Sequence, residues 1–267
     1  MFFKEILLCY PVNYNIESKN IDKKLMYSQY NSLINLLIEN KVNIRFLDPI
    51  YGESQVYTRD LAFQIEDAFF ISNMKRESRR EEVKTIEKYF KEKNLKYYKM
   101  KNNIEGGDVI HFKNKLLVGM SNRTTKDAVE ELQNYLKLLK KDIDIIKIEF
   151  EKDKLIHLDC VFNIIDPETC VVSEYVYNLK EIKKLFKKVI IIDKKETLSL
   201  GTNFITINDN LILTSNKEIY KILKRKKFNA VYLDYSEFIK GGGSFNCTTL
   251  PLLIKKENWK ILFFLLF

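Results

Sequence analysis

Three consecutive glycines precede a cysteine near the end of the chain, in Gly241-Gly242-Gly243-Ser244-Phe245-Asn246-Cys247. Glycine admits close backbone approach and dihedrals closed to other residues. A thiol at the mouth of such a loop is a candidate nucleophile. The run CTTLPLLI from Cys247 predicts a buried strand starting there. The competing reading of Cys247 is a buried structural cysteine after a glycine turn. Other groups weigh against it. His157-Leu158-Asp159, alternating on a strand, would send the imidazole and the carboxylate to one face. The chain has 2 histidines, and His111 lies inside the apolar run VIHF, a structural setting. His157 is therefore the candidate for proton transfer. In Asn103-Ile104-Glu105-Gly106-Gly107-Asp108 the glycines permit a bend that aims both Glu105 and Asp108 inward; its alternative is a glycine turn with solvated acids. Asp60, in Tyr57-Thr58-Arg59-Asp60, adds another carboxylate, whose plainer role would be a salt bridge at a strand entry.

These groups lie far apart in the chain, so repeated elements must bring them together. Four segments, from Leu61, Val109, Val161 and Phe204, share one order. An apolar strand, a polar turn and a second apolar strand are followed by a serine (Ser72, Ser121, Ser173, Ser215), an amphipathic helix and a further strand. The turns fall at Glu66-Asp67, Lys113-Asn114, Asp166-Pro167 and Asn208 to Asn210, all turn formers. The period, roughly 40–50 residues, is that of stacked or radial repeats. A fifth unit assembles from the chain ends: the strand after Cys247, then EILLCYP and a helix from Lys23 to Glu39. Joining the ends closes a ring and removes open strand edges. The expected fold is α/β, a five-bladed propeller of quasi-repeated ββαβ units in a single domain, residues 1–267. The candidate residues sit at or just before the first strand of four units, a shared phase that packing alone does not require.

Composition narrows the function classes. Hydrophobic residues make up 46% of the 267, enough for a sizeable core. The net charge of +9 comes mostly from lysines interspersed with glutamates, without an arginine-rich run or interleaved aromatics, so no nucleic-acid partner is expected. The 4 cysteines show no CxxC spacing, which argues against a zinc knuckle or a disulfide framework. The apolar stretches at residues 1–10 and in the tail 257–267 are too short to span a bilayer. A cytoplasmic protein without stable membrane insertion is expected, with no metal and no cofactor; a homodimer remains open. The loop from Tyr10 to Lys23 follows the closing unit's strand and is a candidate lid.

Five motifs in order, TRD, EGGDV, GMSNRT, HLD and GGG with Cys247 four residues beyond it, resemble the pentein, or guanidino-group-modifying, superfamily. The likeness runs from about Glu5 to Leu253 and is greatest to bacterial dimethylarginine dimethylaminohydrolases and arginine-deiminase-like members. The resemblance implies a five-bladed α/β propeller and hydrolysis of an arginine-like guanidine to a ureido product through a thiouronium on Cys247. Chemistry supports that assignment. A guanidinium is planar and cationic, carboxylates can pair with its N–H fork, and a thiolate is nucleophilic enough to attack its carbon. Asp60 and Asp159, supported by Asp108, would hold the cation. His157 would move protons, and Glu105 would orient His157 or bind the guanidinium. Arg79 in SRREE and Arg123 in SNRT match positions that bind a substrate carboxylate. Two departures stand out. Asn246 replaces the larger basic residue that precedes the nucleophile in many relatives, and Asp159 would disfavour methyl groups on the guanidine. Alternatives are amidinotransfer by the same Cys-His-acid set and, more remotely, a non-catalytic RNA- or ribosome-binding pentein.

Overall fold

A computed structural model describes residues 2–16, 19–50, 54–207 and 210–255. The chain runs β1 (Phe2–Leu8), α1 (Lys23–Glu39), β2 (Asn43–Phe46), then β3 (Ala62–Ile65), β4 (Ala68–Ile71), α2 (Val83–Glu92) and β5 (Tyr97–Lys99). The next unit is β6 (Val109–Phe112), β7 (Lys115–Gly119), α3 (Lys126–Leu138) and β8 (Asp144–Ile148). It is followed by β9 (Phe162–Asp166), β10 (Thr169–Ser173), α4 (Leu179–Leu185) and β11 (Lys188–Ile192). After the short α5 (Lys194–Leu198) come β12 (Ile205–Ile207), β13 (Leu211–Thr214), α6 (Lys217–Arg225), β14 (Asn229–Tyr232), α7 (Ser236–Ile239) and β15 (Leu250–Lys255).

These strands form five three-stranded sheets. In each, the middle strand pairs antiparallel with one neighbour and parallel with the other; a helix-containing crossover joins every parallel pair, and in four sheets a short connection joins the antiparallel pair. The expected closure is present: β15 runs antiparallel to β1 and β1 parallel to β2, so the chain ends complete one blade. The fold is a five-bladed α/β propeller.

Local sequence explains the repeat. Glu66 and Lys113 take φ of 53° and 54° in the β3–β4 and β6–β7 turns. Helix starts are capped by side chains: Asp22 accepts from Leu25 N, Thr125 from Ala128 N and Asn216 from Ile219 N. Four helices end alike. Lys41, Asn94, Lys140 and Lys227 adopt left-handed φ, and the next N–H reaches back five residues, as from Val42 to the Leu37 carbonyl and from Phe228 to that of Leu223. This is a Schellman ending without glycine, which turns the chain into the parallel strand. Clusters such as Leu7, Leu61, Ile71, Phe90 and Leu252 fill the space between adjacent blades.

Two sequence expectations need correction. His157, Leu158 and Asp159 are not on a strand: Leu158–Cys160 is a 3-10 turn with His157 capping it, and β9 starts at Phe162. Nor does a strand begin at Cys247. Residues 245–248 form a turn, closed by Thr248 N donating to the Ser244 carbonyl, and β15 starts at Leu250. Apolar runs alone do not separate a buried turn from a buried strand. The turn at Asn208 and Asp209 and the tail 257–267 lie outside the described residues. Among the described residues, no helix is long and apolar enough to cross a membrane.

Candidate active site

The blades deliver chemistry at one phase. Three 3-10 turns, Thr58–Leu61, Gly106–Asp108 and Leu158–Cys160, come immediately before the first strands of their units. They carry Asp60, Asp108 and Asp159, with Glu105 and His157 capping the last two turns. The Cys247 turn occupies the same position ahead of β15. Cys247, His157, Glu105, Asp60, Arg79 and Arg123 line one pocket, with Gly241 to Gly243 along its wall. Gly242 has φ of 88°, and a Cβ on Gly243 would stand 2.4 Å from the Tyr57 ring, so the loop follows that ring as only glycine can. Gly107 is just as confined: a Cβ there would fall 2.8 Å from the His157 ring and 2.9 Å from Asp60 Oδ1.

Both nitrogens of His157 face carboxylates. Nε2 is 2.8 Å from Glu105 Oε2, and Nδ1 is 3.4 Å from Asp60 Oδ1. Burial opposes the imidazolium, but Asp60, Glu105 and Asp108 outweigh it and raise its pKa well above the ordinary value. Burial would likewise raise Glu105, yet His157, Arg79 and Arg123 hold it down to about 2. Lys75 N donates to the other Glu105 oxygen at 3.0 Å. The Cys247 thiol is pushed well above its ordinary pKa, first by its hydrogen bond with Cys160, then by burial and by the Asp159 carboxylate. These surroundings favour a neutral thiol and a charged imidazole.

The proposed substrate-holding residues separate into two groups. Asp60 Oδ2 accepts from Arg79 at 2.6 Å, while buried Oδ1 accepts no hydrogen bond and faces the pocket group. Asp108 and Asp159 do not line the pocket. Asp108 Oδ2 accepts from Ser121 and Thr124 at 2.5 and 2.7 Å, and Oδ1 from Leu158 N at 3.0 Å. It ties two blades together, and burial raises its pKa to about 7. Asp159 sits behind the sulfur. Its Oδ2 is 3.5 Å from Cys247 Sγ and accepts from Asn246 Nδ2 at 2.9 Å. Asn246, which stands where many relatives carry a larger basic residue, thus spends its amide on that carboxylate.

The arginines also divide. Arg79 is buried and committed: Nε donates to Glu82 at 2.9 Å, Nη1 to Asp60, and Nη2 to the Ser54 and Tyr57 carbonyls. Arg123 is half-buried and makes no ion pair among the described residues, and exposed Arg76 lines the pocket in the same state. Arg76 rather than Arg79 is therefore the second open guanidinium, a residue the sequence reading missed. The candidate lid is displaced as well. None of its described residues lines the pocket; Tyr14 packs beneath the glycine loop, with its hydroxyl 3.0 Å from that of Tyr57 and donating to the Glu237 carbonyl. His111 stands away from the pocket on β6.

Two further residues went unnoticed. Cys160 Sγ, Cys247 Sγ and an Asp159 oxygen lie within 4.8 Å of one another, as do donor atoms of Asp60, Glu105 and His157. Either set is small enough to hold an ion, but the second is already knitted by the His157 hydrogen bond. Asn203 Nδ2 lies 3.1 Å from Cys247 Sγ, and its Oδ1 accepts from Ser244 N and Cys247 N. Asn203 stands two residues before β12, as Asp60 stands two before β3 and Cys247 three before β15. Applying the phase rule to the remaining unit would have found it.

Residues 46–194 match the family model described as arginine deiminase. The chain is 30% identical, over 94% of its length and 92% of the relative's, to the uncharacterized protein YkgA of Bacillus subtilis (strain 168). It is 22% identical to an N(G),N(G)-dimethylarginine dimethylaminohydrolase of Mycobacterium tuberculosis (strain ATCC 25618 / H37Rv), over 87% of this chain and 77% of that one. Its backbone resembles that of the N-terminal domain of ArgZ, an arginine dihydrolase from Cyanobacteria, with a TM-score of 0.82 at 18% identity, covering 93% of this chain and 97% of that one.

Proposed function

This chain belongs to the arginine deiminase and dimethylarginine dimethylaminohydrolase family of penteins, and we propose that it hydrolyses an arginine-like guanidine to a ureido product by covalent catalysis on Cys247. The observation that carries the reading is one pocket holding a thiol, a doubly paired imidazole and a carboxylate oxygen, Asp60 Oδ1, with no hydrogen bond of its own. A buried carboxylate oxygen that accepts no hydrogen bond is costly, and a guanidinium N–H would supply one.

The steps follow from charge. A guanidinium entering beside Asp60 and Glu105 brings a positive charge next to the sulfur and lowers the cost of the thiolate, whose proton is released to solvent. The thiolate attacks the guanidinium carbon, forming a C–S bond. Protonated His157 gives its proton to the departing nitrogen, and the C–N bond breaks to leave a thiouronium. Neutral His157 then takes a proton from water as the hydroxyl adds to that carbon. As the C–S bond breaks, the added hydroxyl gives up its proton to solvent, the thiolate is restored and the neutral ureido product leaves. Arg76 and Arg123, both without ion pairs among the described residues, suit a carboxylate at the substrate's far end. Arginine and its methylated forms are therefore expected to outperform agmatine, which lacks one.

The test is incubation with arginine, methylarginines and agmatine, reading ureido product together with released ammonia or methylamine. Turnover of an arginine-type substrate that vanishes in Cys247→Ser is expected. Absence of turnover with every guanidine, or unchanged turnover in Cys247→Ser, would sink the reading. Turnover only on adding an acceptor amine would reassign the protein to amidinotransfer.

A further inference from the structure

Asn203 is 1% exposed, and its amide is almost wholly spent on the loop that bears Cys247. Oδ1 accepts from Ser244 N at 3.0 Å and from Cys247 N at 3.2 Å, and its own carbonyl accepts from Asn246 N at 3.3 Å. Two backbone N–H groups converging on one end of the amide fix which end is oxygen, since an NH2 group there would meet donors with donors. The NH2 end must then point the other way. It reaches Cys247 Sγ at 3.1 Å and the Asp159 carbonyl at 3.4 Å.

We infer that Asn203 is a positioning residue that fixes the Cys247 turn and donates a hydrogen bond to the sulfur, stabilising its thiolate form. This rests on Cys247 being the nucleophile and goes beyond that reading by saying what receives the negative charge. The resting thiol faces the Asp159 carboxylate at 3.5 Å, a contact that serves an S–H donor and turns repulsive once the proton leaves. The Asn203 N–H behaves oppositely: a hydrogen bond to an ionised acceptor is about twice as strong as a neutral one. The other charged or titratable groups facing the sulfur are Asp159 and Cys160 on one turn, Asp60 and Arg59 on another, and the Tyr57 and Tyr235 hydroxyls, with His157 in the same pocket. Of these, only Arg59 is a fixed cation, and it also faces Asp159 and Asp60. The Asn203 amide is therefore the neutral donor dedicated to this sulfur.

Alkylation of Cys247 by iodoacetamide as a function of pH, localised by peptide mass spectrometry, tests this without any substrate. In Asn203→Ala the midpoint should move up by about one pH unit, the loss expected for one hydrogen bond to a charged group. Asn203→Asp keeps the acceptor for both backbone N–H groups, so the turn is retained. It replaces the donor with a negative charge, and its midpoint should rise further. If the guanidine reading holds, Asn203→Ala should also lose about tenfold or more in kcat with little change in KM. Unchanged alkylation midpoints in both variants would overturn the inference. Shifted midpoints in a protein that turns over no guanidine would leave it standing and remove the proposed substrate instead.

Discussion

At the residue scale, the site contains pairs whose partners push each other's protonation apart. Glu105 is held down to about 2 from 4.5, and His157 is raised well above 6.5. A depressed acid contributes stability above about 4.5, lost as pH falls from there through about 2; a raised base contributes stability that is full below about 6.5 and lost as pH rises through its folded pKa. Both contributions are present between those two unfolded values. Glu105→Gln should therefore be less stable than wild type by about 3 kcal/mol at about pH 5.5. Urea unfolding should show the gap narrowing below about pH 4.5 and closing as pH falls towards about 2. A gap independent of pH would contradict the pairing. The two arginines expected to share one task should diverge. Arg79→Ala strands the buried carboxylates of Asp60 and Glu82 and should cost about 3–5 kcal/mol in the same assay. Arg123→Ala should leave stability within about 0.5 kcal/mol and raise KM about tenfold or more.

At the scale of the element, the repeat depends on turns that the chain makes with unfavourable residues. Lys41, Asn94, Lys140 and Lys227 hold left-handed dihedrals that glycine adopts without strain. Lys227 is exposed and serves only to turn α6 into β14. Lys227→Gly should stabilise the fold by about 0.5–1 kcal/mol, measurable as a higher urea midpoint at unchanged slope. A lower midpoint would mean that the lysine side chain has a structural task. The 3-10 turns are the functional counterpart. Asp108 binds the neighbouring blade through Leu158 N, so a turn beside the pocket also fastens the ring.

At the scale of the molecule, both chain ends supply strands to one blade, and Cys247 enters just ahead of the closing strand β15. Leu252 is 1% exposed and packs with Leu7, Leu61 and Ile71, while its neighbour Leu253 is 52% exposed. Leu252→Asp should destabilise by about 4 kcal/mol or more and reduce any turnover of the proposed reaction by displacing the Cys247 turn, whereas Leu253→Asp should stay within about 0.5 kcal/mol. Equal effects would mean that β15 is not packed in this register. The sequence by itself determined the repeat count, the closure of the fifth unit from both ends and the common phase of Asp60, Glu105, His157 and Cys247. Those follow from hydrophobic period and turn chemistry, which are local properties. Only the tertiary structure decided which groups reach the pocket. Asp108 and Asp159 share the phase of Asp60 but are taken up by Ser121, Thr124, Leu158 N and Asn246. Arg79 is consumed by Asp60 and Glu82, leaving Arg76 open, and Asn203 reaches the sulfur from the preceding blade. Hydrogen-bond partners between blades are set by three-dimensional packing, and no spacing along the chain encodes them.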